Sequence, residues 1–121
     1  MQGDLWINTT SVDATKLPIG SYSQYVFLHE LGHAMGLAHP SDYNAAPGVS
    51  ITYGANAQFV QDSSQYTVMS YFDATDTESG APQHYADTLM MYDIYALQQL
   101  YGANLACRAG NNVYGFSTPL K

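Results

Sequence analysis

The chain has 121 residues, of which 10 are acidic and 3 are basic, so its formal net charge is −7. Nucleic acids and anionic membranes attract proteins through clustered Lys and Arg, and this charge balance therefore argues against both as partners. Hydrophobic residues make up 46% of the chain, yet no apolar run approaches the roughly 18 residues of a membrane span. We expect one packed domain over residues 1–121, without a membrane-spanning segment.

The amino-terminal part of the chain predicts a short strand followed by a helix. The segment DLWIN at 4–8 alternates its apolar side chains between two faces, which is typical of a strand. Ser21 followed by Gln24 has the spacing of a capping box, which predicts a helix over about 21–36. Gly36 can adopt the left-handed backbone that ends a helix. The amino terminus itself lacks the basic and apolar regions of a signal peptide.

The remaining elements are separated by polar loops. VSITY at 49–53 alternates apolar and polar residues, which permits a second strand, and YTVMSYF at 66–72 is rich in β-branched and aromatic residues. A second helix is predicted over about 87–101, because apolar residues recur there at helical spacing. These residues are Met90, Ile94, Leu97 and Tyr101.

The segment YVFLHELGHAMGLA at 25–38 is apolar on all sides except for His29, Glu30 and His33. A helix of this kind is buried in the interior of a protein. A carboxylate and two imidazoles inside such a helix need partners, because an unpaired buried charge would cost several kcal/mol. A bound cation would satisfy all three side chains at once.

The spacing of these side chains favours a single metal ion. His29 and His33 are four residues apart and lie one above the other on the same helix face. Glu30 lies about 100° around the helix from His29, where it could reach a water molecule on the same ion. If the chain turns sharply at Gly36, His39 can become the third ligand. Imidazole ligands suit Zn²⁺, and a neighbouring carboxylate that accepts a proton from water is typical of hydrolytic zinc sites.

The string HELGHAMGLAH, which contains these residues, resembles the extended zinc motif of the metzincin metallopeptidases. Met69, in YTVMSY, resembles the methionine of the tight turn that forms an apolar floor under the metal in that clan. Tyr71, two residues after Met69, makes this turn similar to those of the astacins and the serralysins. The chain is similar to the serralysins in Pro40 directly after the motif and in the segments SDYNA, DSSQYTVMSYF and HYADTLMMYDIYALQQLYGAN. The tail RAGNNVYGF is similar to the serralysin segment that leads into calcium-binding repeats. The resemblance covers nearly the whole chain.

This resemblance implies a zinc-dependent endopeptidase that hydrolyses peptide bonds of extended polypeptides. Its zinc ligands would be His29, His33 and His39. Glu30 would be the catalytic general base on the zinc-bound water. Tyr71 would be both a catalytic residue and a switchable fourth protein ligand of the metal, whose phenol donates a hydrogen bond to the oxyanion. Met69 would belong to a structural Met-turn at about 67–72, and Gly36 would be the hinge before the third histidine. The implied location is extracellular, after secretion.

The resemblance also implies a calcium site in the carboxyl-terminal turn. Its backbone ligands would be Arg108, Gly110 and Asn112.

For four other residues, the sequence gives expectations only about whether each is buried, exposed or hydrogen-bonded. His84 is expected to be a buried or hydrogen-bonded structural histidine. Asp87 and Asp93 are expected to cap the second helix, to face solvent or to bond a neighbouring loop. Cys107 is expected to be an ordinary residue of the tail.

The implied fold is the α/β (α+β) catalytic domain of the metzincins, present here in part. The strand at 4–8 would be the last strand of the sheet, and the earlier strands and the repeat domain are missing from this sequence. We favour a fragment with a missing amino-terminal half over a reduced protein that needs a partner chain. The alternatives to an active peptidase are a truncated, catalytically incompetent zinc-binding module and a structural helical domain without metal.

Overall fold

The computed structural model of the protein describes residues 5–10, 12–13, 15–77, 79, 82, 84–107 and 109–110. Over these residues the helices are α1, Tyr22–Ala34, α2, Tyr53–Asn56, and α3, Met91–Tyr101. Long irregular segments and turns connect them. No helix in the described part of the chain has the length and apolar character needed to cross a bilayer.

Helix α1 has well-defined ends. The Ser21 hydroxyl accepts a hydrogen bond from the backbone N–H of Gln24 at 3.2 Å, and this satisfies one of the free donors of the first turn. The Gln24 side-chain oxygen accepts a second bond, from the backbone N–H of Gly20 at 2.7 Å. At the other end, Gly36 has a φ of 93°, which only glycine adopts without strain. The chain can therefore reverse two residues after α1 ends at Ala34.

Helix α3 begins four residues later than the helix predicted over 87–101. The Asp93 carboxylate accepts a hydrogen bond from the backbone N–H of Met90 at 2.8 Å and thereby fixes the first turn. The backbone carbonyl of Asp87 accepts a bond from the side-chain amide of Gln24 at 3.0 Å. A contact to the start of α1 thus replaces the helical hydrogen bond that the apolar spacing alone would predict.

The described residues contain no strand, so the α/β prediction is not confirmed. Residues 5–8 have no regular structure, and the Trp6 side chain is 87% exposed. Residues 49–52 are irregular and lead into α2, while 66–72 form turns. A strand exists only when a neighbouring strand accepts its backbone hydrogen bonds, and alternation along one segment cannot supply that neighbour.

A small hydrophobic core lies between α1, the Met-turn and α3. Leu37, Val68 and Met69 are its buried members, and Val68 is completely inaccessible to solvent. Partly buried side chains pack around them: Tyr25, Ala86, Leu89, Met90, Ala96 and Leu97. The core therefore supports the same turn and the same helix that carry the motif residues.

Gly32 is the position where α1 and the Met-turn approach most closely. A Cβ atom at this residue would overlap Met69 Sδ and would also contact Leu37 Cδ1 at 3.5 Å. Met69 is only 2% exposed, so its thioether has little free space to move into. The packing therefore requires a residue without a side chain in the middle of the helix.

We expect Gly32→Ala to destabilise the protein by up to about 2 kcal/mol, because an overpacking cost of about 1–3 kcal/mol outweighs the gain of about 1 kcal/mol in helix propensity. Urea unfolding followed by circular dichroism measures this difference. Gly54→Ala is the matched control, since a Cβ there meets nothing within 4 Å, and its effect should stay within about 0.5 kcal/mol. Equal stability of the two variants would contradict the packing argument.

Candidate metal centre

Three histidines from two segments of the chain converge at one point. The Nε2 atoms of His29 and His33 are 3.2 Å apart, those of His33 and His39 are 3.1 Å apart, and those of His29 and His39 are 3.3 Å apart. His29 and His33 lie one turn apart on α1, and His39 follows the reversal at Gly36. Within the described residues this trio is the group that could hold a metal ion.

The other ring nitrogen of each histidine is fixed by the backbone. Each Nδ1 lies within hydrogen-bond distance of a carbonyl oxygen, which can only accept a proton. The pairs are His29 with Val68 at 2.7 Å, His33 with Leu37 at 2.9 Å, and His39 with Tyr43 at 2.8 Å. Each Nδ1 therefore carries the proton, and each neutral ring presents the unprotonated Nε2 to the centre of the cluster.

Three nitrogen lone pairs that face one another repel unless a cation lies between them. Ligand atoms about 2.0–2.1 Å from a tetrahedral Zn²⁺ lie roughly 3.3–3.4 Å from one another. The observed separations of 3.1–3.3 Å are close to this value. The donor set, its tautomers and its spacing therefore fit a tetrahedral divalent ion held by three imidazoles.

The electrostatic environment keeps two of the rings in the form that binds metal. Burial lowers the pKa of His29 below the ordinary value of 6.5, and the backbone carbonyl of Val68 opposes this shift only in part. Burial likewise lowers the pKa of His39, again against a backbone carbonyl, that of Tyr43. Both imidazoles are therefore neutral at pH 7, as a metal ligand must be.

Glu30 lies beside the histidine cluster at the wall of a cleft. This cleft has a volume of about 570 Å³, and His29, Glu30 and Tyr71 all line it. The Glu30 side chain is neither fully buried nor fully exposed. His33 and His39 line a smaller depression of about 250 Å³. His29 is thus the histidine of the three that faces the same space as the Glu30 carboxylate.

The Tyr71 ring contacts two of the three histidines. Its centroid is 4.5 Å from that of His39 in an edge-on arrangement, and 5.8 Å from that of His29. Tyr71 is 40% exposed, so its ring is accessible from the cleft. The structure therefore brings Tyr71 to the histidine cluster and keeps the side chain open to a ligand in the cleft.

Asp93 caps the start of α3 and bonds the neighbouring Met-turn, two of the roles that the sequence left open for it. Its carboxylate is 2% exposed and accepts hydrogen bonds from the Thr67 hydroxyl at 2.5 Å and from the Val68 backbone N–H at 2.9 Å. The Val68 carbonyl is the partner of His29 Nδ1. Asp93 is the only charged residue of α3, and what the sequence does not indicate is its connection through Val68 to His29.

We expect Asp93→Ala to lower the free energy of unfolding by about 3 kcal/mol or more, because it leaves several buried donors of the Met-turn without an acceptor. Guanidinium unfolding of the metal-free chain measures the loss. Asp87→Ala is the control, since Asp87 is an exposed carboxylate close to the same helix, and it should change stability by less than about 0.5 kcal/mol. A similarly small loss of stability in both variants would show that the hydrogen bonds of the Asp93 carboxylate are not needed for stability.

Several predicted residues lie elsewhere or outside the described part of the chain. His84 was expected to be buried or hydrogen-bonded; it is exposed, so the buried alternative is wrong, and it lines a separate depression with Tyr85. The reason is its position at the end of a polar loop. Cys107 is exposed. Of the predicted calcium ligands, Arg108 and Asn112 lie outside the described residues, so the calcium prediction stays a prediction.

Comparison with known proteins places the chain in a family. The reprolysin-like metallopeptidase family M12B matches residues 7–101. The chain is 39% identical over 118 residues to serralysin B of Dickeya chrysanthemi, an alignment that covers 98% of the chain and 24% of that protein. It is 39% identical over 119 residues to serralysin of Proteus mirabilis, with 98% and 24% covered. It is 42% identical over 123 residues to metalloprotease AprA of Pseudomonas entomophila, with 97% and 25% covered.

The chain thus spans about a quarter of the length of the curated relatives that it matches. Their similarity extends along nearly all of its own length, and the three converging histidines lie within the range 7–101 that the family model matches. The chain therefore belongs to the M12B, reprolysin-like metallopeptidase family, and its sequence is of the serralysin type.

Proposed function

We propose that the protein is a zinc endopeptidase unit that hydrolyses peptide bonds in extended polypeptides. The observation that carries this proposal is the convergence of three Nε2 atoms at 3.1–3.3 Å, with each Nδ1 paired to a backbone carbonyl. In this proposal His29, His33 and His39 are the zinc ligands. Their carbonyl partners prevent the rings from rotating away when the ion is absent.

A bound zinc ion would supply Lewis acidity, which lowers the pKa of a water molecule and polarises a peptide carbonyl. The carboxylate of Glu30, next to His29 in the cleft, then accepts a proton from the attacking water and passes it to the leaving amine. Because the water itself attacks the carbonyl carbon and the C–N bond then breaks, no covalent intermediate with the protein forms and a nucleophilic Ser or Cys is not required. Cys107, an exposed residue, has no part in this proposal.

Tyr71 completes the proposed site from the other wall of the cleft. Its ring lies against His39, and a phenol in this place can donate a hydrogen bond to the substrate oxygen on which negative charge develops. Tyr71 would also be a switchable metal ligand: its phenol would bind the metal before the substrate arrives and would leave the metal when the substrate binds. Met69 supports the turn that carries Tyr71, because its buried thioether packs against α1 at Gly32.

The relatives are named serralysins and a metalloprotease, and polypeptide substrates and an extracellular location are inferred for this chain from that likeness. The α/β architecture of the complete catalytic domain is part of the same proposal. A second candidate is a zinc-binding module that does not cleave peptides. One observation favours it: the described residues offer no strand edge with which an extended substrate could pair.

Zinc analysis and a proteolysis assay together test the proposal. The purified chain should retain one zinc per molecule and cleave an unfolded, fluorescently labelled protein. A chelator should abolish cleavage, and added zinc should restore it. One zinc without cleavage, even when the missing part of a serralysin catalytic domain is supplied in trans, would support the binding module. A chain that retains no zinc would contradict both candidates.

A further inference from the structure

Asp62 is a completely buried carboxylate for which the sequence predicts no role. It is 0% exposed, and three side-chain hydroxyls donate hydrogen bonds to it. They are Ser41 Oγ to Oδ2 at 2.6 Å, Tyr43 OH to Oδ1 at 2.8 Å, and Ser70 Oγ to Oδ1 at 2.7 Å. All three donors are neutral groups and are themselves buried.

Two of the three hydroxyls lie in the segment that follows His39, and the third lies in the Met-turn. Tyr43 supplies the backbone carbonyl that accepts the proton of His39 Nδ1 at 2.8 Å. Ser70 directly precedes Tyr71 in the Met-turn, and the Tyr71 backbone N–H lies 3.4 Å from the Tyr43 hydroxyl. The Asp62 carboxylate therefore joins the loop that carries the third histidine to the turn that carries Tyr71.

Burial of this carboxylate is unfavourable unless its hydrogen bonds compensate for lost hydration. A carboxylate surrounded by neutral hydroxyls gains less than one paired with Lys or Arg. A network of this kind fixes a unique arrangement of the backbone around it, because every donor must keep its place. In this protein the network fixes the backbone of Tyr43, which contacts His39, and the backbone of the Met-turn, which carries Tyr71.

We propose that Asp62 is a positioning residue that orients His39 and the Met-turn around the metal, through Tyr43 and Ser70. This inference rests on the proposed function, since it requires that the histidine cluster binds a metal ion. Removal of a group that orients a metal ligand typically lowers metal affinity or activity by about 10–100-fold. Asp62 does not contact the metal itself, so its loss should weaken binding without removing a ligand.

Metal binding to the 121-residue chain tests the inference without reference to peptidase activity. Competition with a chelator gives the zinc affinity, and visible absorption of the Co²⁺ form reports the geometry of the ligands. Asp62→Asn removes one acceptor, and Tyr43→Phe removes one donor while keeping the backbone carbonyl that His39 needs. Val12→Ala is the control, because Val12 is a buried residue that lines neither the cleft nor the depression beside the cluster.

We expect the Asp62 and Tyr43 variants to lose about 10–100-fold in zinc affinity and to show an altered Co²⁺ spectrum. Val12→Ala should be less stable but should keep the wild-type affinity and spectrum. If Asp62→Asn does not fold, Tyr43→Phe decides the question alone. Wild-type affinity and spectrum in a folded Tyr43→Phe or Asp62→Asn variant would overturn the inference while leaving the proposed function intact. Absence of metal binding in the unchanged chain would overturn both.

Discussion

Glu30→Gln is expected to lower the rate of peptide hydrolysis by about 10²–10⁴-fold, which is the usual contribution of a general base. Glutamine has nearly the same shape as glutamate but cannot accept the proton of the attacking water. The three imidazoles are unchanged, so zinc affinity should stay within a few-fold of the original. Turnover of a fluorogenic peptide under saturating zinc, together with chelator competition, separates the loss of chemistry from the loss of metal.

Asp76→Asn is the matched control for this experiment. Asp76 lines the same cleft as Glu30, and the substitution removes the same charge from the same space. If Glu30 acts by proton transfer, Asp76→Asn should change turnover by less than about tenfold. An equal loss in both variants would mean that the negative potential of the cleft, and not a specific base, supports activity. Full activity in Glu30→Gln would contradict the proposed mechanism.

His39→Ala is expected to reduce zinc affinity by more than about 100-fold, beyond the range seen when only a supporting hydrogen bond is lost. The two histidines of α1 remain, but two imidazoles leave the ion with an incomplete set of protein ligands. The effect should appear in competition with a chelator whose affinity is close to that of the wild-type chain. Peptidase activity at low zinc concentration should fall in parallel.

His84→Ala is the control for the loss of a histidine. His84 is exposed and lies outside the cluster of three converging rings, so this variant should bind zinc as tightly as the unchanged chain. A large loss of affinity in His84→Ala, or unchanged affinity in His39→Ala, would show that the metal binds elsewhere. The pair of variants therefore tests which histidines hold the ion and not merely whether histidine does.

The grouping of His29, His33 and His39 could be predicted because it depends on short-range geometry. Four residues of helix separate the first two, and a glycine with a φ of 93° allows the reversal that brings the third alongside. The start of α1 is also local, since a Ser21 hydroxyl three residues before Gln24 is enough to define it. These features need no knowledge of how distant segments pack.

The parts that the sequence did not predict depend on contacts between distant segments. Asp62 looks like an ordinary polar residue in the sequence, and for Asp93 the sequence leaves open which loop its carboxylate bonds; only the approach of the Met-turn buries both carboxylates. The late start of α3 has the same origin, because the side-chain amide of Gln24 on α1 donates a hydrogen bond to the backbone carbonyl of Asp87. The predicted strand at 4–8 was drawn from alternation alone, and its described residues, 5–8, have no neighbouring strand.

X-ray absorption at the zinc edge, measured on the chain loaded with one equivalent of zinc, shows directly whether the three histidines hold the ion. We expect three imidazole nitrogens at about 2.0–2.1 Å, with the additional scattering of their rings, and a low total coordination number. His39→Ala should remove one imidazole from this shell. A shell of six oxygen atoms, or zinc that does not remain bound, would contradict the account.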